Sequence, residues 1–190
     1  MIYVFEQLDS VTDKFASEFL ANMPIERQSK ALKYRRKLDR NLCIMGYWLL
    51  CRGLQKEYDI CEYPRFIYNE YGKPSLADYP NIHFNISHCN RAVTCVISKK
   101  EVGLDIQNIR PYKPEVAKRV CTDDEMKLLD SCPHPEMLFC RMWTIKESYL
   151  KLLGSGIQSL ENKICTMSFS DKNMFTYWGE GYHLCCMGIS

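Results

Sequence analysis

The sequence has little of what marks several protein classes. Its 190 residues include only 9 glycines and 8 prolines, so collagen-like, disordered and low-complexity scaffolds are excluded. The charges nearly balance, and a formal net charge of +2 is too small to make the whole molecule a nucleic-acid or membrane ligand. With 46% hydrophobic residues the composition is that of a globular protein. We expect one domain, or two small halves with a shared core, that bury roughly 70% of the unfolded surface.

Long apolar segments are also missing. The longest, residues 42–51, is bounded by Arg40 and Arg52 and has about half the length of a membrane span. Residues 1–10 lack the positive start, the apolar run and the small-residue cleavage site of a secretory signal. These absences predict a cytoplasmic protein that does not enter a membrane.

The 11 cysteines form no CxxC pair, and the 4 histidines form no HxxxH pair. The odd cysteine count argues against a disulfide framework, and the spacings argue against a zinc site. Cys43, Cys51, Cys95 and Cys140 lie in apolar patterns, where a buried thiol packs as a small hydrophobe. We therefore predict reduced, structural cysteines.

Hydrophobic periodicity predicts an α+β layout. The pattern indicates a long amphipathic helix from Ile25 to about Tyr58. Strands are predicted at 2–5, 65–68, 83–86, 92–98, 102–109, 163–169, 174–178 and 183–189. Thr122 and Glu125 fit a capping box that opens a helix near Asp123.

A further helix is predicted to begin near Pro135 and to run to Leu153, where Gly154 and Gly156 end it. Each part of the chain then has a long helix followed by strands. We predict an α+β fold of two similar α/β halves, residues 1–100 and 101–190, that meet near Lys99 to Glu101.

Positive charge is concentrated in one segment. Seven basic and two acidic residues lie between Glu26 and Arg40, a local net charge of +5. A helix with this charge could hold phosphate groups or face an acidic partner protein. A solvated helix face explains the same pattern equally well.

Asp105 interrupts an apolar strand. Val102, Leu104 and Ile106 alternate onto one face of that strand, which leaves Asp105 and Gln107 on the other. A carboxylate in this position is a plausible Mg²⁺ ligand, because hard cations take oxygen ligands and share substrate phosphates. A strand-end carboxylate in water is the alternative.

The predicted helix 135–153 carries a polar stripe beside its apolar one. Trp143, Glu147 and Lys151 follow one another at steps of four residues. Glu147 and Lys151 could form only a surface ion pair, worth a few tenths of a kcal/mol. The same pair also suits metal-assisted phosphoryl chemistry, in which the carboxylate holds Mg²⁺ or takes a proton and the ammonium neutralises phosphate charge.

Two short segments carry polar side chains at turns. Lys73 lies in the turn sequence NEYGKPSL at 69–76, and Ser87 and His88 end the strand sequence FNISH at 84–88. Each of these side chains could contact a phosphate or simply cap a turn.

In this order, four segments resemble the larger, pseudo-duplicated class of phosphopantetheinyl transferases. They are NEYGKPSL, FNISH, VGLDIQNIRP at 102–111 and WTIKESYLKLLGSGI at 143–157. VGLDI followed some forty residues later by WTIKESYLK is the most specific match, and the resemblance extends from about Ile25 to Ile157.

The resemblance implies transfer of the phosphopantetheine arm of coenzyme A to a serine of an acidic apo acyl or peptidyl carrier protein, with release of adenosine 3',5'-bisphosphate. By this likeness Asp105 and Glu147 would bind Mg²⁺, Glu147 would take the serine proton, and Lys151 would stabilise the pyrophosphate with help from Lys146. The side chains expected around the adenosine 3'-phosphate are Lys73, Ser87, His88, Lys30 and Arg36.

The resemblance is incomplete at Gln107, where members of this class often carry a second acid. An amide could offer its carbonyl oxygen to the metal or leave a water there, and the site would lose one negative charge. The layout of the class implies a monomer, with no nucleic-acid or membrane partner. Two other hypotheses remain open: a coenzyme A sensor or carrier-docking protein without turnover, and a metal-dependent nuclease that uses Asp105 and Glu147.

Overall fold

The computed structural model describes residues 1–155 and 164–188. Over these residues it has eight strands and six α-helices. The strands are β1 (Ile2–Phe5), β2 (Phe66–Tyr68), β3 (Pro74–Leu76), β4 (His83–His88), β5 (Val93–Ser98), β6 (Gly103–Asn108), β7 (Met174–Gly179) and β8 (Tyr182–Met187). The helices are α1 (Asp13–Asn22), α2 (Ile25–Leu32), α3 (Lys37–Tyr58), α4 (Pro114–Val120), α5 (Asp123–Ser131) and α6 (Pro135–Leu153).

The two three-stranded sheets share one order of strand pairing, leaving aside the elements that lie between the matching strands and helices. In the first, β1 is followed by α3 and then by the hairpin β4–β5, whose second strand pairs with β1 to give the order β1-β5-β4. In the second, β6 is followed by α6 and then by the hairpin β7–β8, whose second strand pairs with β6 to give the order β6-β8-β7. All of these pairings are antiparallel, and the long helix packs on its own sheet in each half. The α+β fold is thereby confirmed.

The two halves also share a core. Val96 of β5 packs in one apolar cluster with Leu104, Ile106 and Leu184 of the second sheet. Strand β4, at one edge of the first sheet, contacts β6, at one edge of the second. Residues of β4 and β6 are therefore neighbours, although they come from different halves.

The long helix predicted from Ile25 to Tyr58 is wrong, because the chain forms two helices there. Arg36 has an extended backbone, with φ −80° and ψ 134°, and α3 begins after it. Helix α2 turns back onto α3 and buries Ala31 and most of Arg27. Four basic residues fall between 33 and 37, where one continuous helix would hold like charges close together.

The end of α6 and the segment beyond it bear on two further predictions. Gly154 has a positive φ of 67° and caps α6, as predicted. The strand predicted at 163–169 is wrong over the described residues, because Thr166–Ser168 form a 3-10 turn. Gly156, Lys163 and Ile189 lie outside the described residues. The capping box of Thr122 and Glu125 is confirmed.

Helices α1 and α4 were not predicted from the sequence. Both are short, with ten and seven residues. Among residues 1–155 and 164–188, no helix has the length and apolar character needed to span a bilayer.

Candidate active site

A cleft of about 360 Å³ opens between the two halves. Helices α2 and α3 and strand β4 supply one wall, α6 supplies the other, and the turn before β3 closes one end. Glu147 and Lys151 line this cleft together with four basic residues of the first half, Arg27, Lys30, Lys73 and His88. Glu147 and Lys151 of the stripe predicted on α6 therefore face the cleft rather than open solvent, whereas Trp143 packs against an apolar cluster elsewhere.

Asp105 lies beside this cleft because β6 and α6 approach very closely. Gly103 makes the approach possible, since a Cβ at this position would overlap the backbone carbonyl oxygen of Ser148 and the backbone of Leu152. Two residues along the same face of β6, Asp105 then meets the side chain of Lys151. The sequence thus sets the position of the carboxylate through the small residue that precedes it.

Asp105 is almost completely buried, with 2% of its surface exposed, and both of its oxygens are used. Its Oδ1 accepts hydrogen bonds from Lys151 Nζ at 2.6 Å and from Ser87 Oγ at 2.9 Å. Its Oδ2 accepts one from Gln107 Nε2 at 3.0 Å. The buried charge is thus compensated by one ammonium and two neutral donors.

Glu147 is half-buried in the cleft and, among the described residues, makes no hydrogen bond or ion pair through its carboxylate. Burial raises the pKa of Glu147 above its ordinary value, the charge of Asp105 raises it further, and Lys151 lowers it in part. A carboxylate with a raised pKa is a stronger base than an ordinary one and is suited to take a proton.

The two carboxylates also fit a divalent cation shared with a substrate. No cluster of three or more His, Cys, Asp or Glu side chains that could hold a metal occurs in the described part of the chain. Asp105 and Glu147 are nevertheless close enough for their charges to repel. Mg²⁺ is usually held by only one or two carboxylates, with waters and substrate phosphates in its other positions. The donor set here is of that kind.

The part of the cleft lined by α2 is cationic, and we call it the cationic end. Arg27 is only 4% exposed, and its guanidinium lies over the rings of Tyr47 and Phe66 at 5.1 and 4.9 Å. Among the described residues, its Nε has no hydrogen-bond partner. Lys30 also lines the cleft, where partial desolvation and the charge of Arg27 lower its pKa. A buried guanidinium that meets no carboxylate in the described part of the chain is suited to bind an anion.

Arg27 is a site residue that sequence reasoning missed. It belongs to the basic segment, where its charge does not distinguish it from its exposed neighbours. The available signal was its spacing of four residues before the apolar Ala31, which places both on the buried face of α2.

Several predicted site residues take other positions. Arg36 is exposed at the start of α3 and does not line the cleft. Lys73 lines the cleft, but its Nζ already donates to Glu101 Oε2 at 2.5 Å and to the Leu152 carbonyl oxygen at 2.8 Å. His88 lines it as well, and desolvation followed by the charge of Lys151 lowers its pKa. Ser87 is buried among Asp105, Lys151 and the backbone of β6.

The prediction that Lys146 assists at the pyrophosphate is wrong. Its side chain is 1% exposed and points away from the cleft, toward α5. The three N–H groups donate to Glu125 Oε2 at 2.6 Å and to the carbonyl oxygens of Val120 and Ile164 at 2.7 and 2.6 Å. Because adjacent helical residues point in different directions, Lys146 joins a structural ion pair while Glu147 faces the cleft.

Comparisons of the sequence with known proteins identify its family. Residues 101–186 match the family model of the 4'-phosphopantetheinyl transferase superfamily. The chain is 32% identical over 142 residues to 4'-phosphopantetheinyl transferase Sfp of Bacillus subtilis. This alignment covers 73% of the chain and 63% of the relative. It is 34% identical over 158 residues to 4'-phosphopantetheinyl transferase gsp of Aneurinibacillus migulanus, with 81% and 66% covered.

A third relative, 4'-phosphopantetheinyl transferase psf-1 of Bacillus pumilus, is 30% identical over 158 residues, with 80% of this chain and 68% of the relative covered. The chain belongs to the 4'-phosphopantetheinyl transferase superfamily. The match spans about two thirds of the length of these relatives. The part matched by the family model includes Asp105, Glu147 and Lys151.

Proposed function

We propose that the protein transfers the 4'-phosphopantetheine arm of coenzyme A to a serine of an apo acyl or peptidyl carrier protein. The observation that carries the proposal is the cleft between the halves. Its lining includes a carboxylate and an ammonium from α6 and, at the cationic end, the guanidinium of Arg27, which has no carboxylate partner among the described residues. A donor with a pyrophosphate and a separate 3'-phosphate would offer an anion to both groups of cations. Family membership supports the same reaction class.

Coenzyme A would bind with its adenosine 3'-phosphate at the cationic end. Arg27 and Lys30 supply positive charge there, and His88 supplies a ring nitrogen. Lys73 borders this end and could exchange its contact with Glu101 for the ligand. The pyrophosphate then lies toward Lys151, on the α6 side.

Asp105 and Glu147 would hold a Mg²⁺ ion, with Gln107 next to it. The amide nitrogen of Gln107 donates to Asp105, so its carbonyl oxygen remains to accept from a water or to face the metal. When bound, Mg²⁺ would neutralise charge on the pyrophosphate. Gln107 brings one negative charge less than a glutamate, which predicts weaker metal binding than in relatives with an acid there.

The chain's own groups supply the proton transfer and the charge stabilisation. The carrier serine hydroxyl attacks the phosphorus on the pantetheine side, its proton passes to the Glu147 carboxylate directly or through a water, and the bond to adenosine 3',5'-bisphosphate breaks. Lys151 stabilises the negative charge that develops on the leaving oxygens. Its ammonium is already held at the site by Asp105.

Both halves of one chain would contribute to this site. Residues 1–100 supply the anion-binding end, and residues 101–190 supply the metal and proton-transfer groups. The repeated order of strand, helix and hairpin supports an origin by duplication, in which one chain works as a monomer.

The experiment is intact-mass analysis of a panel of apo carrier proteins incubated with this protein, coenzyme A and Mg²⁺, with an EDTA control. We expect a Mg²⁺-dependent mass gain of one phosphopantetheine on the carrier serine. Coenzyme A binding without a mass gain on any carrier would contradict the proposal and favour a sensor, for which Gln107 would be the first residue to test.

A further inference from the structure

Ser87 has a different environment from the residue that follows it. Successive strand residues point to opposite sides, so Ser87 and His88 at the end of β4 diverge. His88 is exposed and lines the cleft, whereas Ser87 is 6% exposed and does not. The two side chains therefore do not face one ligand together.

The Ser87 hydroxyl has no hydrogen-bonding capacity left for a phosphate. Its single proton is donated to Asp105 Oδ1 at 2.9 Å. Its two lone pairs accept from Lys151 Nζ at 3.0 Å and from the backbone N–H of Ile106 at 3.3 Å. A hydroxyl has one donor and two acceptor sites, so all three are used. A phosphate oxygen accepts hydrogen bonds and so needs a donor, but the only proton of the Ser87 hydroxyl is already donated to Asp105.

The three bonds join the two halves at the charged groups. Ser87 belongs to β4 of the first sheet, and its partners belong to β6 and α6 of the second half. Asp105 and Lys151 already contact each other at 2.6 Å, and Ser87 completes a triangle with them. The bond to the Ile106 backbone fixes where this triangle lies along β6.

We infer that Ser87 is a positioning residue: it aligns Asp105 and Lys151 from the opposite half of the molecule and does not bind the phosphate of coenzyme A. This inference rests on the proposed function, for which Asp105 and Lys151 are reaction groups. Residues that orient metal ligands through hydrogen bonds typically change activity or metal affinity by about 10- to 100-fold when mutated.

The test compares coenzyme A with 3'-dephospho-coenzyme A, which lacks only the terminal phosphate. Ser87→Ala is expected to lower kcat by about 10- to 100-fold, to raise the half-saturating Mg²⁺ concentration and to keep the wild-type KM ratio between the two donors. Calorimetric titration with each donor is expected to give the wild-type preference as well. His88→Ala is the positive control, and its preference for the 3'-phosphate should fall.

Two further variants separate positioning from a general loss of structure. Ser148→Ala removes a buried serine of α6 whose hydroxyl bonds within its own helix and to Cys185, so kcat should stay near wild type. Ser87→Thr keeps the hydroxyl and should restore most of the rate. If Ser87→Ala does not fold, Ser87→Cys keeps the volume with a weak donor and should give the same pattern.

A fall in the preference for the 3'-phosphate in Ser87→Ala, or an unchanged kcat and Mg²⁺ requirement, overturns the inference. Wild-type protein that binds coenzyme A and transfers nothing would contradict the proposed function instead. In that case the two calorimetric titrations still decide whether Ser87 contacts the 3'-phosphate.

Discussion

Glu147 is the single residue on which most of the proposed chemistry depends. Its carboxylate lines the cleft, and burial together with the charge of Asp105 raises its pKa. A raised pKa means that the folded protein takes up this proton more readily than the unfolded chain does. Ionised Glu147 therefore destabilises the unliganded fold at neutral pH, and this effect disappears as the pH falls below the pKa of an unfolded glutamate.

Glu147→Gln is expected to separate activity from stability. An amide cannot take the serine proton, so transfer should fall by about 100- to 10,000-fold, as measured by carrier modification. Thermal unfolding at pH 7 should give a Tm equal to or above that of the wild type, because the buried charge is gone. A variant that keeps turnover would contradict the assignment of Glu147 as the base.

The pH dependence of the unliganded fold should show the same carboxylate. Because the pKa of Glu147 is raised, wild-type protein without metal or donor should gain stability relative to Glu147→Gln as the pH falls through that raised pKa. The measurement is the free energy of unfolding of both proteins against pH. A difference between the two proteins that does not change with pH would contradict a buried carboxylate with a raised pKa at this position.

The cationic end of the cleft offers a pair of matched lysines. Lys30 lines the cleft, whereas Lys33, three residues later, is exposed and does not. Loss of a charge-assisted bond to phosphate is worth about 1.5–3 kcal/mol, so Lys30→Ala should weaken coenzyme A binding by roughly 10- to 100-fold. Titration calorimetry should show an affinity for coenzyme A near that of the wild type in Lys33→Ala. Equal losses of affinity in the two variants would argue against a local phosphate site.

At the scale of the elements, the contact between β6 and α6 places the site. Gly103→Ala should destabilise the protein by about 1–3 kcal/mol, because the new methyl group would meet the α6 backbone. Gly46→Ala is the comparison, since its Cβ would meet side-chain atoms alone, of Ile86 at 2.7 Å and of Val93 at 3.7 Å. Denaturant unfolding should show the larger loss at Gly103, and the reverse order would contradict this account of the contact.

The ion pair between α5 and α6 explains why Lys146 is structural. Burial alone would raise the pKa of Glu125, but hydrogen bonds from Lys146 and Thr166 outweigh it and lower that pKa. The stabilisation is thus present above the unfolded pKa and is lost as the pH falls through the folded one. Lys146→Met should reduce the free energy of unfolding by about 3–5 kcal/mol, with normal turnover per folded molecule. If the fully folded variant loses turnover, Lys146 takes part in the reaction and the structural assignment is wrong.

The elements show what the sequence can predict. The capping box of Thr122 and Glu125 and the glycine cap at Gly154 are local signals, and both structures form as predicted. Periodicity failed at residues 33–36, because whether α2 continues or folds back depends on packing against α3. Periodicity placed Glu147 and Lys151 on one stripe of α6. It could not place Lys146 against Glu125, because that contact joins residues 21 positions apart.

At the scale of the whole molecule, the site exists only where the halves meet. The first half supplies Arg27, Lys30 and His88, and the second supplies Asp105, Glu147 and Lys151. The shared apolar core joins the two sheets. Neither half alone has all the groups of the proposed site for coenzyme A.

The central claim is that the protein transfers phosphopantetheine from coenzyme A to a carrier serine. The ratio of the two products formed tests this claim most directly. In one reaction with Mg²⁺, adenosine 3',5'-bisphosphate is quantified by chromatography and holo-carrier by intact mass. The reaction is run with the wild-type carrier and with a carrier whose acceptor serine is replaced by alanine. The account predicts equal amounts of the two products with the wild-type carrier and neither product with the alanine carrier. Bisphosphate release that does not depend on the carrier serine, or coenzyme A binding without either product, would contradict it.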